Sequence, residues 1–230
     1  MEQKLSTKMI FQVLFWGALW GIVEATLGTI LHLPAFDAPG IYLCSSTIII
    51  PIAYCLMANC YKRTGSFYSV YLMGVLAGVI KLTTAFIVGF INRVYMPAIY
   101  IVVEALAMGT ALAVFKPKNV LSLKTFASVV VANTVYQFMY LVIRIADNNP
   151  SAFASMEAWQ KLGEPYFLTI NFVACMYTLV VGGIAYGLIK LAEKKEWKPS
   201  FSLDKIIYSP ITASVSVGLA LVLTITLKLL

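Results

Sequence analysis

Seven apolar stretches, each near the length needed to cross a bilayer, fill almost the whole of this 230-residue chain. They fall at about 10–32, 41–61, 67–91, 95–115, 125–145, 166–189 and 206–229. A helix needs about 20 residues to cross about 30 Å of hydrocarbon, where every backbone polar group must be satisfied within the segment. The expected fold class is therefore all-α: a polytopic transmembrane helical bundle of six to seven spans, forming one integral membrane domain over 1–230. Composition agrees, with 60% apolar and 12% charged residues where soluble domains carry about 25% charged. The first apolar run is longer than the core of a signal peptide and no small-residue cleavage pattern follows it, so it is expected to remain as the first helix.

The net charge of +7 does not read as a nucleic-acid surface, because the basic residues sort by loop instead of forming a phosphate-tracking patch. Lys4 and Lys8 precede the first span, and Lys62 and Arg63 follow the second. Lys116, Lys118 and Lys124 follow the fourth, and Lys190, Lys194, Lys195, Lys198 and Lys205 follow the sixth. These 12 of the 17 basic residues mark one side, whereas the alternate loops and the C-terminus hold Arg93, Lys161 and Lys228. Loop charge sets orientation, so the N-terminus is expected in the cytoplasm of a cell whose plasma membrane, prokaryotic by this plan, holds the protein.

Charges within the spans are the candidate functional residues. Glu24, Lys81 and Glu104 lie near mid-span, where a charge costs about 2.5–3.5 kcal/mol on insertion scales and normally faces a protein interior or a wet cavity. Their similar depths allow an acid–base–acid cluster. At 100° per residue Glu24 shares a stripe with Gly17, Gly21, Ala25, Gly28 and His32, a small-residue face suited to close helix packing. Lys81 shares one with Gly74, Ala77, Gly78 and Ala85, and Glu104 one with Pro97, Tyr100, Met108 and Ala111. On the fifth span Asn133, Gln137, Tyr140 and Arg144 stand at i, i+4, i+7 and i+11, and the sixth offers Asn171, Cys175, Thr178 and Gly182. Such lines suit either interhelical hydrogen bonds or a cavity for a small polar ligand.

Two loops stand out. Residues 33–40 hold two prolines and Asp37, and Phe153, Met156, Trp159 and Leu162 recur at steps of three, as in a short amphipathic helix lying on the bundle or in the interface. Enzyme chemistry finds no foothold: there is no HExxH, GxSxG or Gly-rich phosphate loop, and one histidine in all. Cys44, Cys55, Cys60 and Cys175 have no metal-ligand spacing. No catalysis, cofactor, metal or nucleic acid is expected; the expected partners are a small-molecule ligand and membrane lipid.

The size, the N-terminal orientation, the ridge Gly17-xxx-Gly21-xxx-Ala25 and the polar residues gathered toward the outer half of later helices resemble the substrate-binding S-components of energy-coupling-factor (ECF) transporters. In that family six helices bind a vitamin or related micronutrient near the outer face. The first inter-helix loop helps cover it, and a transmembrane coupling subunit with two ATPases drives uptake. The resemblance implies that Gly17, Gly21 and Ala25 contact the coupling subunit and that the loop around Asp37 lies over the ligand. The family often carries AxxxA in its first helix where this chain has GxxxGxxxA, and the seventh span departs from its plan. Two other classes share these features: a self-sufficient secondary transporter or channel using Glu24 and Glu104, and a membrane assembly protein using them as interhelical glue.

Loop charge predicts that Lys194 lies inside. A single cysteine placed there in a cysteine-free background should resist an impermeant thiol reagent added to intact cells and react after permeabilisation. Labelling from outside would reverse the orientation.

Overall fold

The computed structural model describes residues 6–30, 45–89, 91–118, 122–148 and 207–229, together with the isolated positions Met176, Val180, Ile184 and Leu191. The described residues are all-α: α1 (Thr7–Ile30), α2 (Ser45–Thr64), α3 (Phe67–Leu82), a single turn α4 (Ala85–Val88), α5 (Asn92–Phe115), α6 (Leu123–Asn148) and α7 (Pro210–Leu229). Five helical stretches are long and apolar enough to span a bilayer: Thr7–Leu27, Phe67–Ile87, Val94–Phe115, Leu123–Asp147 and Pro210–Leu227. The protein is a polytopic membrane protein.

One of the seven expected spans, the second, differs, and the sixth lies almost wholly outside the described residues. The second, α2, is a helix but not among those five; Asn59, Lys62 and Arg63 dilute its apolar run. Of the sixth, only Met176, Val180 and Ile184 are described, and with Leu191 they form one helical, exposed apolar stripe. The loop over 33–40, the amphipathic segment at 153–162, His32 and Asn171 lie outside the described residues.

The outside is apolar in the manner of a lipid-facing surface. Val131, Val135 and Phe138 on α6, and Ile211, Val215 and Val222 on α7, are exposed, the inverse of a soluble helix whose polar face meets water. Helix neighbours run α7, α1, α3, α5, α6, with α2 against α1, α3 and α5. The helix least apolar by sequence is thus among the most enclosed, its Ala53, Tyr54, Met57 and Cys60 all fully buried in the main core. The last helix is built into the bundle: Ala220 of α7 packs with Ala18 of α1 and Ile80 of α3. Near its start, the buried Gln12 amide donates to the Ile207 carbonyl (3.3 Å) and its oxygen accepts the Trp16 indole N–H (3.0 Å).

Small residues set the helix spacings. A Cβ added at Gly74 would overlap the Ala105 side chain, and one at Gly109 would overlap the Tyr71 ring, so α3 and α5 approach almost backbone to backbone. Gly17 faces Met73 and Leu76, and Gly21 faces Ile80. The ridge on α1 therefore packs against α3 of the same chain. That is where the structure uses the two residues that the family resemblance assigns to a coupling subunit.

Replacing Gly74 with Ala should force the α3–α5 seam apart at a cost of about 1–3 kcal/mol, the usual range for overpacking. Gly218→Ala on α7, where the added methyl meets nothing within 4 Å, should be neutral or stabilise by up to about 1 kcal/mol through helix propensity. Thermal unfolding of both variants in one detergent checks the contrast; equal midpoints would contradict the tight seam.

Candidate functional site

Depth comes from helix geometry. At about 1.5 Å per residue, Glu24 lies about 26 Å along α1 from Thr7, Lys81 about 21 Å along α3 from Phe67, and Glu104 about 17 Å from the Phe115 end of α5. Tyr54 and Asn133 lie about 15 Å from the same end of the bundle, and Tyr136 about 20 Å. The three mid-span charges thus occupy one polar layer, with Glu104 the deepest.

The charges act on one another across helices. Lys81 is close enough to attract the Glu24 carboxylate, and Glu24 and Glu104 are close enough to repel. Glu24 also accepts the Trp20 indole N–H from one turn below (3.4 Å). Glu104 is 3% exposed, and its Oε1 has no hydrogen-bond partner among the described residues. That arrangement is costly, and among the described residues only the Ser66 hydroxyl shares it, since a buried polar atom without a partner forfeits its hydration and receives nothing in return.

Three tyrosines lie in the same layer as this carboxylate. Tyr100, one turn from Glu104 on α5, stacks obliquely on Tyr140 of α6, with ring centroids 4.5 Å apart. Tyr136 and Tyr140 stand 6.2 Å apart, and Glu104 is near enough to Tyr136 to act on its phenol electrostatically. One to two turns below on the same face of α6, the Tyr54 hydroxyl donates to Asn133 Oδ1 (3.4 Å), joining α2 to α6. Asn133 and Gln137 are buried, as a polar line turned inward requires. Arg144 continues α6, but its side chain is outside the described residues, so the upper end of that line is not part of the geometry here.

Lys81 sits where α3 changes form. Thr83 and Thr84 bond back to Ile80 and Lys81 in three-residue steps through their backbone N–H groups (both 3.2 Å). Their hydroxyls donate to the same two carbonyls, at 2.6 and 2.9 Å. Threonine hydroxyls that bond the preceding turn tighten a helix and favour a bend, and α3 ends at Leu82 before resuming for one turn as α4. The apolar run over 67–91 is thus one candidate span, Phe67–Ile87, with a tightened turn at Thr83 and Thr84 beside Lys81.

Below the polar layer the described core is mainly apolar. Met57, Met73 and Met108 lie about 9–11 Å from the Lys-rich end, all fully buried in one core with Val129 and Leu112. At the same height on α1 the Gln12–Trp16 hydrogen bond passes beside them.

The structure thus brings Glu24, Lys81, Glu104, Asn133, Gln137 and Tyr140 into the bundle interior. Sequence reasoning missed Trp20, Tyr54, Tyr100 and Tyr136 as parts of the layer. Tyr100 had been placed on the Glu104 face, and Tyr136 stands beside Gln137, but aromatic residues in an apolar run carry no signal that separates a packing ring from a polar one. No family model, no curated protein and no solved structure matches this chain.

Replacing Lys81 with Met should destabilise the protein by less than the roughly 3–5 kcal/mol of a fully buried pair, because both partners are only half-buried. Combining it with Glu24→Gln should recover part of the loss. Unfolding of the two singles and the double gives the coupling directly, and strict additivity would dissolve the pair.

Proposed function

We propose that the protein is a membrane-embedded substrate-binding subunit for uptake of a small, vitamin-like molecule, energised by a partner ATPase module. One observation carries the reading: Glu104 is buried among tyrosines with a carboxylate oxygen that has no donor among the described residues. Natural bundles rarely leave such a group idle, and a bound molecule with an N–H or O–H donor would complete it. Trp20, Tyr100, Tyr136 and Tyr140 supply flat apolar surface with polar edges, the usual lining of a small-molecule site. Glu24 and Lys81 offset each other's charge, leaving Glu104 as the group that selects. Asn133 and Gln137 extend the lining along α6.

The buried apolar layer of Met57, Met73 and Met108 favours a binding subunit over a conducting pore, because solute held above it needs a conformational step driven from elsewhere. A coupling partner would supply that step. Since Gly17 and Gly21 are covered by α3, such a partner would engage another face of the bundle. A second reading, a self-sufficient secondary transporter, draws on the mutual repulsion of Glu24 and Glu104, which proton or cation binding would relieve.

Native mass spectrometry of the purified protein tests the first reading. A small molecule should be retained by the wild type, and Glu104→Gln should lower its retention roughly ten- to hundredfold, the worth of a charge-assisted hydrogen bond of about 1.5–3 kcal/mol. Gln137→Leu should weaken it with the helical circular dichroism unchanged. An empty wild type, or equal retention by Glu104→Gln, would remove the proposal; solute flux by the protein alone in liposomes would favour the second reading.

A further inference from the structure

A polar cavity lies at the opposite end of the bundle from the acid layer. It has a volume of about 310 Å³ and is lined by Ser6, Lys8, Met9, Gln12, Arg63, Thr64 and Tyr208. Three parts of the chain meet there: the start of α1, the end of α2 and the lead into α7. Among the described lining residues two are cationic and three carry hydroxyls. Gln12 forms a fixed wall, since its amide is committed to the Ile207 carbonyl and the Trp16 indole. A cavity of this size falls at the lower end of small-molecule sites, about 300–1,000 Å³.

We propose that this cavity binds a phosphate-bearing anion, namely the headgroup of an anionic phospholipid. Lys8 and Arg63 reach a phosphodiester from two helices, and the hydroxyls of Ser6 and Tyr208 are of the kind that donate to its oxygens, while Thr64, bonded to Cys60 and Ser69, forms wall. Position separates a lipid from free phosphate. The cavity lies at the Lys-rich end, at headgroup level, where loop charge expects the cytoplasmic leaflet, and basic pockets between helices on that side hold acidic headgroups. Ile10 and Ile211, a few residues on from Lys8 and Tyr208, are both exposed, and they offer apolar surface for the acyl chains that a free anion would not use. The lipid would tie the lead into α7 to the α1–α2 end of the bundle.

The test is competition. The full-length protein is equilibrated in detergent with equal amounts of phosphatidylglycerol and phosphatidylcholine, and retained lipid is counted by native mass spectrometry. One phosphatidylglycerol should be enriched, and Arg63→Gln should reduce the enrichment about fivefold, the worth of one basic side chain near an anionic surface. Lys8→Glu, at an exposed position where folding is not at stake, should reduce it at least as much. Lys118→Glu, exposed at the same end but outside the cavity, should change nothing. Equal retention of the two lipids, or a Lys8→Glu protein indistinguishable from wild type, overturns the proposal. So does an equal loss in Lys118→Glu, which would make the preference a property of the whole charged end. If inorganic phosphate at millimolar concentration raises the melting temperature through Lys8 and Arg63 while phosphatidylglycerol is not enriched, the occupant is free phosphate and the lipid assignment falls.

Discussion

The contact of Gly74 with Ala105 is the constraint on which the interior depends. Lipid gives helices no hydrophobic reason to associate, so a bundle holds together by close packing and by polar contacts that lipid cannot supply. Bringing α3 and α5 almost to backbone contact does the first directly. It also does the second, because Ala105 cannot face α3 without fixing the rotation of its neighbour Glu104. The same seam sets Lys81, seven residues on from Gly74, on a helix that also packs against α1 and its Glu24. A glycine with no chemistry of its own thus determines which charges can meet.

The resulting electrostatics are unequal. Glu24 has the indole of Trp20 and the attraction of Lys81, whereas Glu104 has a like charge nearby and an oxygen without a described donor. The two acids of the layer are therefore held differently: half-buried Glu24 has an indole donor and a cation beside it, while fully buried Glu104 keeps one oxygen without a described donor.

Much of this was legible in the sequence, for a clear physical reason. A charge in an apolar run is expensive wherever it points outward, so Glu24, Lys81 and Glu104 had to meet inside, and the inward line of Asn133 and Gln137 obeyed the same rule. What sequence concealed was partnership. The Gly17-xxx-Gly21 ridge announced close packing but not against which surface, and α3 of the same chain claims it. Hydropathy also ranked α2 low without revealing why. Its Asn59, Lys62 and Arg63 sit near one end, while the buried stretch from Ile49 to Met57 lies among α1, α3 and α5, where a helix never needs to satisfy lipid on all sides. Nor does alternation of apolar residues foretell that Thr83 and Thr84 will bond back and end α3 beside its lysine.

The two ends of the bundle are held together by different means. At the Lys-rich end polar groups are mutually committed: Thr64 bonds the Ser69 hydroxyl at 2.6 Å, and Gln12 spans from Trp16 to Ile207. Three buried methionines lie above them in the main core. Toward the other end the Tyr54–Asn133 and Trp20–Glu24 contacts are both long at 3.4 Å, and one Glu104 oxygen has no described donor. Long hydrogen bonds are weaker than short ones. The acid layer is therefore held chiefly by the tight helix seams around it, above all Gly74 against Ala105, and less by these two polar contacts.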